Sequence, residues 1–520
     1  MRNVAWVFYN IEMPCVDAVA DMEDTGIAFD LDYAKTLSEK YHKILDDKLN
    51  KFYELCDMFK VEIEAYNGPV RLDNPININS VQQIQALLYD IVGIPPVLDK
   101  ITKKPTKSTG EDILKKLKHP IADAILDYRN FATLVSTFID KLPTCVNKKD
   151  GRIHAGFNQY GADTGRFSSK NPNLQNIPSK NHDIRKMFTA TDGYVLMSSD
   201  YSQQEVKGMA QMCGDEGMLR AFREGKDFYA QIASVAFNKD YEDCLEFRPD
   251  GTTNREGKER RDQAKSILLG INYGRGAISI AEQLGCTKKV AERIKEDVFR
   301  GFPAIERFEA DSKAMAEDLG YVTTLWGRKR RLPIMTRADY EFEWKSGANL
   351  SDDPLDFDGD EDFEDDVPDE LMRKWTKRLK DCWKSDKKFA IIKQAEEEDG
   401  LIITNNTKAK SDATRQIVNA RIQGSAADMT KLAMVKLYED ERLKELGFRL
   451  LIQVHDELIA ECPKENIAEV SERFARFMSE APGDKFTIPI NCDVEITERW
   501  YGQKFVVNEK GELVEKEEDE

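Results

Sequence analysis

Three apolar segments that each meet a carboxylate constrain the fold of this chain more than any other feature. Residues 194–198 form a strand-like run that leads into Asp200, and residues 450–454 and 458–462 flank the turn His455-Asp456-Glu457. Short apolar runs bounded by turn residues are typical of buried strands, and the second and third runs predict a hairpin. A carboxylate cannot be buried without a compensating partner. We therefore expect a sheet whose apolar strands are covered and whose Asp200 and Asp456 lie at strand ends.

Each acid has a simpler explanation when it is taken alone. Asp200 could cap a following helix, and Asp456 could be an ordinary turn residue. The two together, with a basic helix between them in the sequence, favour a shared site. Acids on adjacent strand ends can bridge two Mg²⁺ ions roughly 3.5–4 Å apart.

The basic helix is predicted over residues 261–274. Arg261, Lys265, Leu269 and Tyr273 are four residues apart and fall on one helical stripe. Arg261 and Lys265 suit phosphate oxygens, and the next two side chains offer a platform against which a base can stack. A basic stripe is often only a solvated face, but the rest of this helix is apolar. Two carboxylates that face such a helix are what metal-assisted transfer of a nucleotide triphosphate needs.

The net charge of −18 is unevenly distributed over the 520 residues. Residues 338–370 hold 15 Asp or Glu against one Lys, and residues 509–520 hold seven against two. The remainder is therefore close to neutral, and local basic patches can still bind phosphate. We expect residues 338–370 to be too charged to fold alone, and the tail after Val507 to be disordered.

Size and composition predict a multidomain cytoplasmic protein. A chain of this length suggests three or four compact units. It has no apolar run near the roughly 20 residues of a membrane span, and its N-terminus lacks the layout of a signal peptide. Nine cysteines without a CxxC pair argue against zinc and disulfides and fit a reducing compartment. We expect a monomer without membrane contact, in the cytoplasm near the nucleoid or in an infected host cell.

Periodicity predicts mostly helix outside these strands. The basic loop 99–110 is either a phosphate-touching tip or a solvated surface loop. Residues 153–177 predict turns and short strands. Helices are predicted over 11–60, from 81 onward after Asn79-Ser80, and over 111–141, 206–236, 258–273, 279–299, 304–318, 371–396 and 412–440.

With these residues in view, the chain resembles the DNA polymerases of family A, the bacterial DNA polymerase I type also found in phages and organelles. Asp200-Tyr201-Ser202-Gln203-Gln204-Glu205 resembles motif A of the family. Residues 261–274 resemble motif B, and Val454-His455-Asp456-Glu457 resembles motif C. Residues 164–169 and 173–178 are similar to the family's primer-template contact segment.

The resemblance implies an α+β right-hand fold with a helical thumb, an antiparallel-sheet palm and helical fingers. The implied division is thumb and N-terminal helical region 1–150, palm 151–215 and 411–507, fingers 216–337, acidic insertion 338–410 and acidic tail 508–520.

The resemblance also implies roles for single residues. Asp200, Asp456 and the Tyr201 carbonyl would bind two Mg²⁺ ions, for which Mn²⁺ can substitute, with Glu457 as a helper and Lys265 as the proton donor to pyrophosphate. The implied partners are primer-template DNA, dNTPs and a separate exonuclease or processivity protein. The residues implied to bind dNTP are Arg261, Lys265, Leu269, Tyr273, Gln203, Glu205 and Tyr229. Those implied to bind DNA are Arg166, Arg415, Asn419, Gln423 and His455.

Three positions depart from the family pattern. Leu269 stands where relatives have Phe or Tyr against the incoming sugar, so we expect strong discrimination against dideoxynucleotides because no Tyr hydroxyl is available. Tyr229 stands where many relatives have a phosphate-contacting His. Gln204 replaces an aliphatic residue.

Three other functions agree less well with these residues: a 3′–5′ exonuclease, an RNA polymerase and a DNA-binding scaffold subunit. Asp21-Met22-Glu23 superficially resembles the start of a 3′–5′ exonuclease, but it lies in a helical pattern without an apolar strand before it. A single-subunit RNA polymerase shares the three motifs, although Glu205 would block a ribose 2′-hydroxyl. An inactive DNA-binding processivity or scaffold subunit would not need intact acids and triphosphate ligands.

Overall fold

The computed structural model describes residues 3–98, 104–179, 181–248, 250–272, 274–345, 367–382, 385–508 and 512–516. Helices dominate, and single π-helical turns at Phe8–Glu12, Ala86–Ile91 and Val135–Ile139 continue three of them. The α-helices are α1 (Val4–Val7), α2 (Met13–Thr25), α3 (Leu31–Asp57), α4 (Lys60–Glu64), α5 (Val81–Gln85), α6 (Glu111–Leu117), α7 (Pro120–Leu134), α8 (His182–Arg185), α9 (Gln204–Cys213), α10 (Glu216–Arg223), α11 (Phe228–Phe237), α12 (Arg255–Asn272), α13 (Ala277–Leu284), α14 (Lys288–Gly301), α15 (Pro303–Leu319), α16 (Asp369–Asp381), α17 (Ser385–Asp399), α18 (Thr407–Glu439), α19 (Glu441–Glu445) and α20 (Ile467–Glu480).

The strands are short except for those of one central sheet. They are β1 (Ile27–Phe29), β2 (Val97–Leu98), β3 (Pro105–Thr106), β4 (Arg152–Ile153), β5 (Gly156–Asn158), β6 (Ser168–Lys170), β7 (Phe188–Thr189), β8 (Tyr194–Asp200), β9 (Tyr321–Thr323), β10 (Lys329–Arg331), β11 (Tyr340–Trp344), β12 (Leu401–Asn405), β13 (Arg449–Val454), β14 (Glu457–Pro463), β15 (Val494–Thr497), β16 (Lys504–Val507) and β17 (Leu513–Glu515). The predicted strand and hairpin at 194–198 and 450–462 are confirmed, as are the predicted helices, which are longer or interrupted in places.

The central sheet has six antiparallel strands in the order β13-β14-β8-β15-β16-β17. β8 lies inside it, and Val195, Leu196 and Met197 are buried in succession because the sheet is covered on both faces at this point. The register pairs Asp200 with Glu457, so the end of β8 meets the turn between β13 and β14. The sheet thus brings the two predicted acids to one edge.

The core beneath this edge is formed by helices that pack on the sheet. Phe474 and Met478 of α20 and Met434 of α18 are buried in the same cluster as the strand residues. α20 buries Ile467, Val470, Phe474 and Met478 at helical spacing, which fixes one face of it on the sheet. α18, which carries the predicted DNA-binding residues Arg415, Asn419 and Gln423, therefore shares one core with the sheet that carries the acids.

Two further cores lie in the helical regions. One is built by α9 to α15 and includes Phe228, Ile267 and Leu268. The other is built by the helices between Phe52 and Tyr128. Polar side chains start several of these helices, with Ser80, Asp215 and Thr287 each accepting a backbone hydrogen bond as N-caps.

The expectation that residues 338–370 do not fold is wrong for part of the segment. β11 pairs with β12, and Tyr340, Trp375, Leu379 and Leu401 form a small separate core. The apolar alternation in Tyr-Glu-Phe-Glu-Trp offsets the local charge, because its apolar side chains reach the helices that follow. Residues 346–366 lie outside the described residues.

The expectation of disorder after Val507 is also wrong in part. Leu513–Glu515 form β17, which pairs with β16 through the register Val507↔Leu513. The backbone N–H of Asn508 donates to the Glu512 carbonyl oxygen at 2.9 Å. Residues 509–511 and 517–520 lie outside the described residues. Within the part of the chain that the structure describes, no helix combines the length and apolar content of a membrane span.

Candidate active site

The acids of the sheet edge interact electrostatically. Loss of hydration raises the pKa of the Asp200 carboxyl, and the negative charge of Asp456 raises it further. Burial likewise raises the pKa of Asp456, and Glu205 adds to the effect while Arg166 and His455 oppose it. The ionised carboxylates of Asp200 and Asp456 therefore disfavour each other at this edge, and a bound cation would stabilise them.

The residues at this edge fit a divalent metal. Carboxylate oxygens are the ligands that Mg²⁺ prefers, and the carboxylates of Asp200 and Asp456 lie at neighbouring strand ends. The Tyr201 side chain is buried and its hydroxyl donates to the Met478 carbonyl at 3.3 Å, which fixes the backbone directly after Asp200. The donor set that the sequence predicts for metal binding is thus assembled on a rigid support.

Backbone strain is concentrated beside the two acids. Gln203 and His455 have positive φ angles of 56° and 57°, which are unfavourable for residues other than glycine. Strained residues of this kind cluster at functional sites, where the surrounding structure holds them. Gln203 also has a buried side-chain oxygen without a hydrogen-bond partner among the described residues.

Glu457 lies on the inner side of the edge. Its pKa is raised to about 7, chiefly by burial, although Arg185 lies 3.8 Å away and opposes the shift. Arg185 is itself buried, with its guanidinium 4.5 Å from the Trp500 ring and 4.8 Å from the Tyr501 ring. Sequence reasoning missed Arg185, because nothing in its local pattern distinguishes it from a surface arginine.

A chain of hydrogen bonds joins four predicted residues near the acids. Arg166 donates to the Glu205 carboxylate. Gln423 Nε2 donates to the same carboxylate at 3.4 Å, and Asn419 Nδ2 donates to Gln423 Oε1 at 3.3 Å. The residues assigned to sugar discrimination and to DNA contact therefore form one connected set.

His455 and Arg415 are the other two residues predicted to bind DNA. His455 and Arg166 line the same small pocket, and burial followed by the charge of Arg166 lowers the pKa of His455. Arg415 is exposed on α18 and donates to Asp412. A Cβ added to Gly274 would lie 3.0 Å from the Arg415 Cα, so the chain just after α12 passes close to α18.

Gln204 has a structural role that the sequence did not reveal. It is buried, and its Nε2 donates to the Ala426 carbonyl and to Thr430 Oγ1, both at 3.2 Å. These bonds fasten the start of α9 to α18. An aliphatic residue could not make them.

The predicted phosphate-binding residues gather on α12. The Arg261 guanidinium carbon lies 5.5 Å from the centre of the Tyr229 ring, and Lys265 Nζ lies 5.8 Å from it. Burial raises the pKa of Tyr229, and the charges of Glu205 and Asp456 contribute, so this ring is within electrostatic reach of both the α12 cations and the acidic edge. Leu269 is half-buried one turn further along the stripe. Tyr273 lies outside the described residues.

The acids of the exonuclease-like sequence are explained by the fold. Asp21 and Glu23 lie in α2, and the Glu23 carboxylate accepts the backbone hydrogen bond of Phe157 at 2.5 Å. His154 Nδ1 is 2.9 Å from the Glu23 carbonyl oxygen. Glu23 thus holds α2 against β5.

Comparison with known proteins agrees with this arrangement. The chain is similar to DNA polymerase I of Chloroflexus aurantiacus, with 31% identity over 95% of this chain and 43% of the relative. It is also similar to the thermostable DNA polymerase I of Thermus aquaticus, with 31% identity over 97% of this chain and 49% of the relative. The chain thus spans less than half the length of these two relatives.

A solved structure of similar architecture is the POL domain of Pol1 from M. smegmatis, in complex with DNA primer-template and dNTP. The match has a TM-score of 0.70 and 27% identity, and it covers 95% of this chain and 70% of that one. The profile of DNA polymerase family A matches residues 45–352 and 361–502. Because this match includes most of the chain and all three motifs, the chain belongs to DNA polymerase family A.

Proposed function

We propose that the chain is a template-directed DNA polymerase that adds dNTPs to a primer 3′ end with two Mg²⁺ ions, for which Mn²⁺ can substitute. The observation that carries the proposal is the acidic edge of Asp200 and Asp456 with Glu205 on one side and the Arg261–Lys265 stripe beyond Tyr229. An acidic edge with a cationic helix stripe near it is the charge arrangement that a metal-bound triphosphate needs.

The carboxylates of Asp200 and Asp456, with the Tyr201 carbonyl, would hold the metal ions. Such ions, when bound, lower the pKa of the primer 3′-hydroxyl and neutralise the leaving pyrophosphate. The 3′-hydroxyl would lose its proton to solvent and its oxygen would bond to the α-phosphorus, while the bond from that phosphorus to pyrophosphate breaks. Lys265, whose Nζ forms no hydrogen bond within the described part of the chain, would donate a proton to the pyrophosphate, and Glu457 would support the edge.

The remaining residues would bind the substrates. Arg261, Tyr229, Gln203 and Tyr273 would hold the nucleotide, and Leu269 would contact its sugar. Glu205 would exclude a ribose 2′-hydroxyl, so deoxynucleotides are the proposed substrates. Minor-groove acceptors are nearly independent of sequence, which suits a copying enzyme. The proposed contacts to primer and template are Arg166, Arg415, Asn419, Gln423 and His455.

We assign the regions accordingly, with residues 1–150 as thumb, 151–215 and 411–507 as palm, and 216–337 as fingers. The Pol1 structure to which this chain is similar contains DNA primer-template and dNTP, which supports the same substrates here. The family match does not favour the RNA polymerase or scaffold alternatives.

Extension of a labelled primer on a DNA template, with dNTPs or rNTPs and Mg²⁺, tests the proposal. Asp456→Ala should lower the extension rate on the order of a thousandfold, because a metal ligand is lost. It should not lower the melting temperature, because it also removes repulsion from Asp200. Asp17→Ala, which removes an exposed acid of α2, is the matched control and should be fully active.

The outcomes separate the alternatives. Extension with dNTPs that chelation of Mg²⁺ abolishes would support the polymerase. Wild-type protein that binds the duplex but does not extend it would support the scaffold function. Synthesis from rNTPs without a primer would support an RNA polymerase.

A further inference from the structure

Asp227, just before α11, uses both of its carboxylate oxygens. Oδ1 accepts the backbone hydrogen bonds of Tyr229 at 2.9 Å and Ala230 at 3.1 Å, and so caps the helix. Oδ2 accepts from Arg261 Nε at 2.6 Å. The Asp227 backbone N–H donates to the Tyr241 hydroxyl at 2.9 Å, which fixes the residue from a third side. One carboxylate thus joins the start of α11 to the cationic stripe of α12.

The ion pair occupies only one nitrogen of the Arg261 guanidinium. The terminal nitrogens form no hydrogen bond within the described part of the chain, and the Asp262 carboxylate, 3.9 Å from Nη1, is too distant to accept one. A guanidinium held at Nε presents its two terminal nitrogens as a fork, which is the geometry that binds phosphate in a bidentate manner. Arg261 is therefore oriented before any phosphate arrives.

Tyr229 completes the same unit. Its backbone N–H is bound by Asp227, and its ring lies beside both Arg261 and Lys265. It is 95% buried, and its hydroxyl has no hydrogen-bond partner among the described residues. The buried ring stops Arg261 from folding back onto α11, so the guanidinium keeps one direction.

We propose that Asp227 is a positioning residue for the nucleotide triphosphate: it acts through Arg261 by fixing the guanidinium with its terminal nitrogens free for the phosphates. This inference rests on the proposed function. An arginine that is already ordered loses less rotamer freedom on binding, so affinity for the triphosphate rises without a new contact to it. Asp227 itself touches no phosphate.

Two substitutions at position 227 separate positioning from helix capping. Asn is as good an N-cap as Asp, but its one oxygen is needed by the cap and its amide nitrogen cannot accept from Nε. Glu keeps the charge but is a poorer cap. Positioning therefore predicts a KM for dNTP that is raised about tenfold in Asp227→Asn and less in Asp227→Glu. If Asp227 acted only as a helix cap, the KM would rise more in Asp227→Glu than in Asp227→Asn. The melting temperatures report on the cap, so Asp227→Glu should melt at a lower temperature than Asp227→Asn.

Primer extension and duplex binding are the measurements. Asp227→Asn should raise the KM for dNTP with a smaller change in kcat and no change in the Kd for primer-template. In an Arg261→Ala background, Asp227→Asn should raise the KM for dNTP little further, because the Arg261 guanidinium through which Asp227 acts is absent. Asp215→Asn is the matched control, since Asp215 caps the neighbouring helix α10 through Met218 and pairs with no cation among the described residues.

The results distinguish this inference from the function on which it rests. Wild-type protein that fails to extend primers overturns the proposed function and the inference with it. If the wild type is active, the inference alone is overturned by an unchanged KM in Asp227→Asn. It is equally overturned by a full additional effect of Asp227→Asn in the Arg261→Ala background.

Discussion

At position 269 we propose that a single side chain decides how the protein contacts the sugar of the incoming nucleotide. Leu269 lies on the same stripe of α12 as Arg261 and Lys265, two turns and one turn after them. It is half-buried, so its side chain is partly available to a substrate. The Leu269 side chain has no hydroxyl. It therefore cannot replace the 3′-hydroxyl that a dideoxynucleotide lacks.

We therefore expect Leu269→Tyr to accept dideoxynucleotides better than the wild type, by about tenfold relative to deoxynucleotides. Leu269→Phe supplies the ring without the hydroxyl and serves as the control. Competition between the two nucleotides in single-nucleotide extension measures the ratio. Equal ratios for the Tyr and Phe variants would show that the hydroxyl is not responsible.

At the scale of elements, a buried ion cluster joins the N-terminal helix to α18. Glu12 accepts from Arg328 and, at 2.8 Å, from Lys431 Nζ. Arg328 Nε donates to Asp428 at 2.7 Å, so the cluster holds two acids and two cations. Burial raises the pKa of Asp428 and lowers that of Lys431, and the opposite charges of the cluster act against both shifts.

Glu12→Gln should reduce the free energy of unfolding by about 3–5 kcal/mol, because it leaves two buried cations with one acid. Urea titration measures the loss. Glu469→Gln, in the exposed ion pairs with Arg442 and Arg473, is the control and should have little effect. A small effect at Glu12 would mean that water reaches the cluster.

A second connection between elements predicts a dependence on pH. Asp30 caps α3 through the Tyr33 backbone and pairs with Arg499 near the end of the central sheet. Although partial burial raises it, the pKa of Asp30 is held below the usual value of an aspartate carboxyl by the Tyr33 backbone and Arg499. A depressed carboxyl pKa stabilises the fold above the unfolded-state value, and this contribution is lost as the pH falls through the folded-state value.

Wild type should therefore be more stable than Asp30→Asn near neutral pH, by about 1 kcal/mol or less because the pair is partly exposed. The difference should disappear as the pH falls below about 4. Thermal unfolding of both proteins across this range tests the sign. A difference that grows on acidification would contradict the assignment.

At the scale of the whole molecule, the described residues 340–345, 367–382 and 385–405 form a unit of their own. β11 and β12 pair only with each other, and their core is separate from the others in the described part of the chain. The backbone N–H of Asn406 donates to the Asp339 carbonyl at 2.9 Å. The points at which the chain enters and leaves this unit are therefore adjacent. The sequence from residue 340 to residue 405 holds 20 acidic and 10 basic residues, a net charge of −10.

Replacing residues 340–405 with a short Gly-Ser linker should leave primer extension intact, because joining ends that are already adjacent costs little loop entropy. It should also tighten binding to primer-template at low salt, because negative charge that repels DNA is removed. The gain should shrink at high salt. Binding curves at two salt concentrations test this, and a lower melting temperature with lost activity would show that the unit supports the rest of the fold.

The sequence by itself determined the parts of the site whose signals are local. Apolar runs that end in Asp200 and Asp456 define strand ends, and four-residue spacing defines the cationic stripe of α12, because strand and helix periodicity are set by the neighbouring backbone. The family motifs added roles to these residues. The same reasoning was wrong about the charged strand Tyr340–Trp344 and about Leu513–Glu515.

Only the tertiary structure decided which distant charged groups pair with each other. Arg185 beside Glu457, Asp227 beside Arg261, and Glu12 beside Lys431 are pairs from separate elements, and no local pattern marks either partner. The two misjudged strands have the same cause, since each is stabilised by a partner strand that local charge does not reveal. Burial and long-range pairing set the energy of a charged group, and both exist only once the chain has folded.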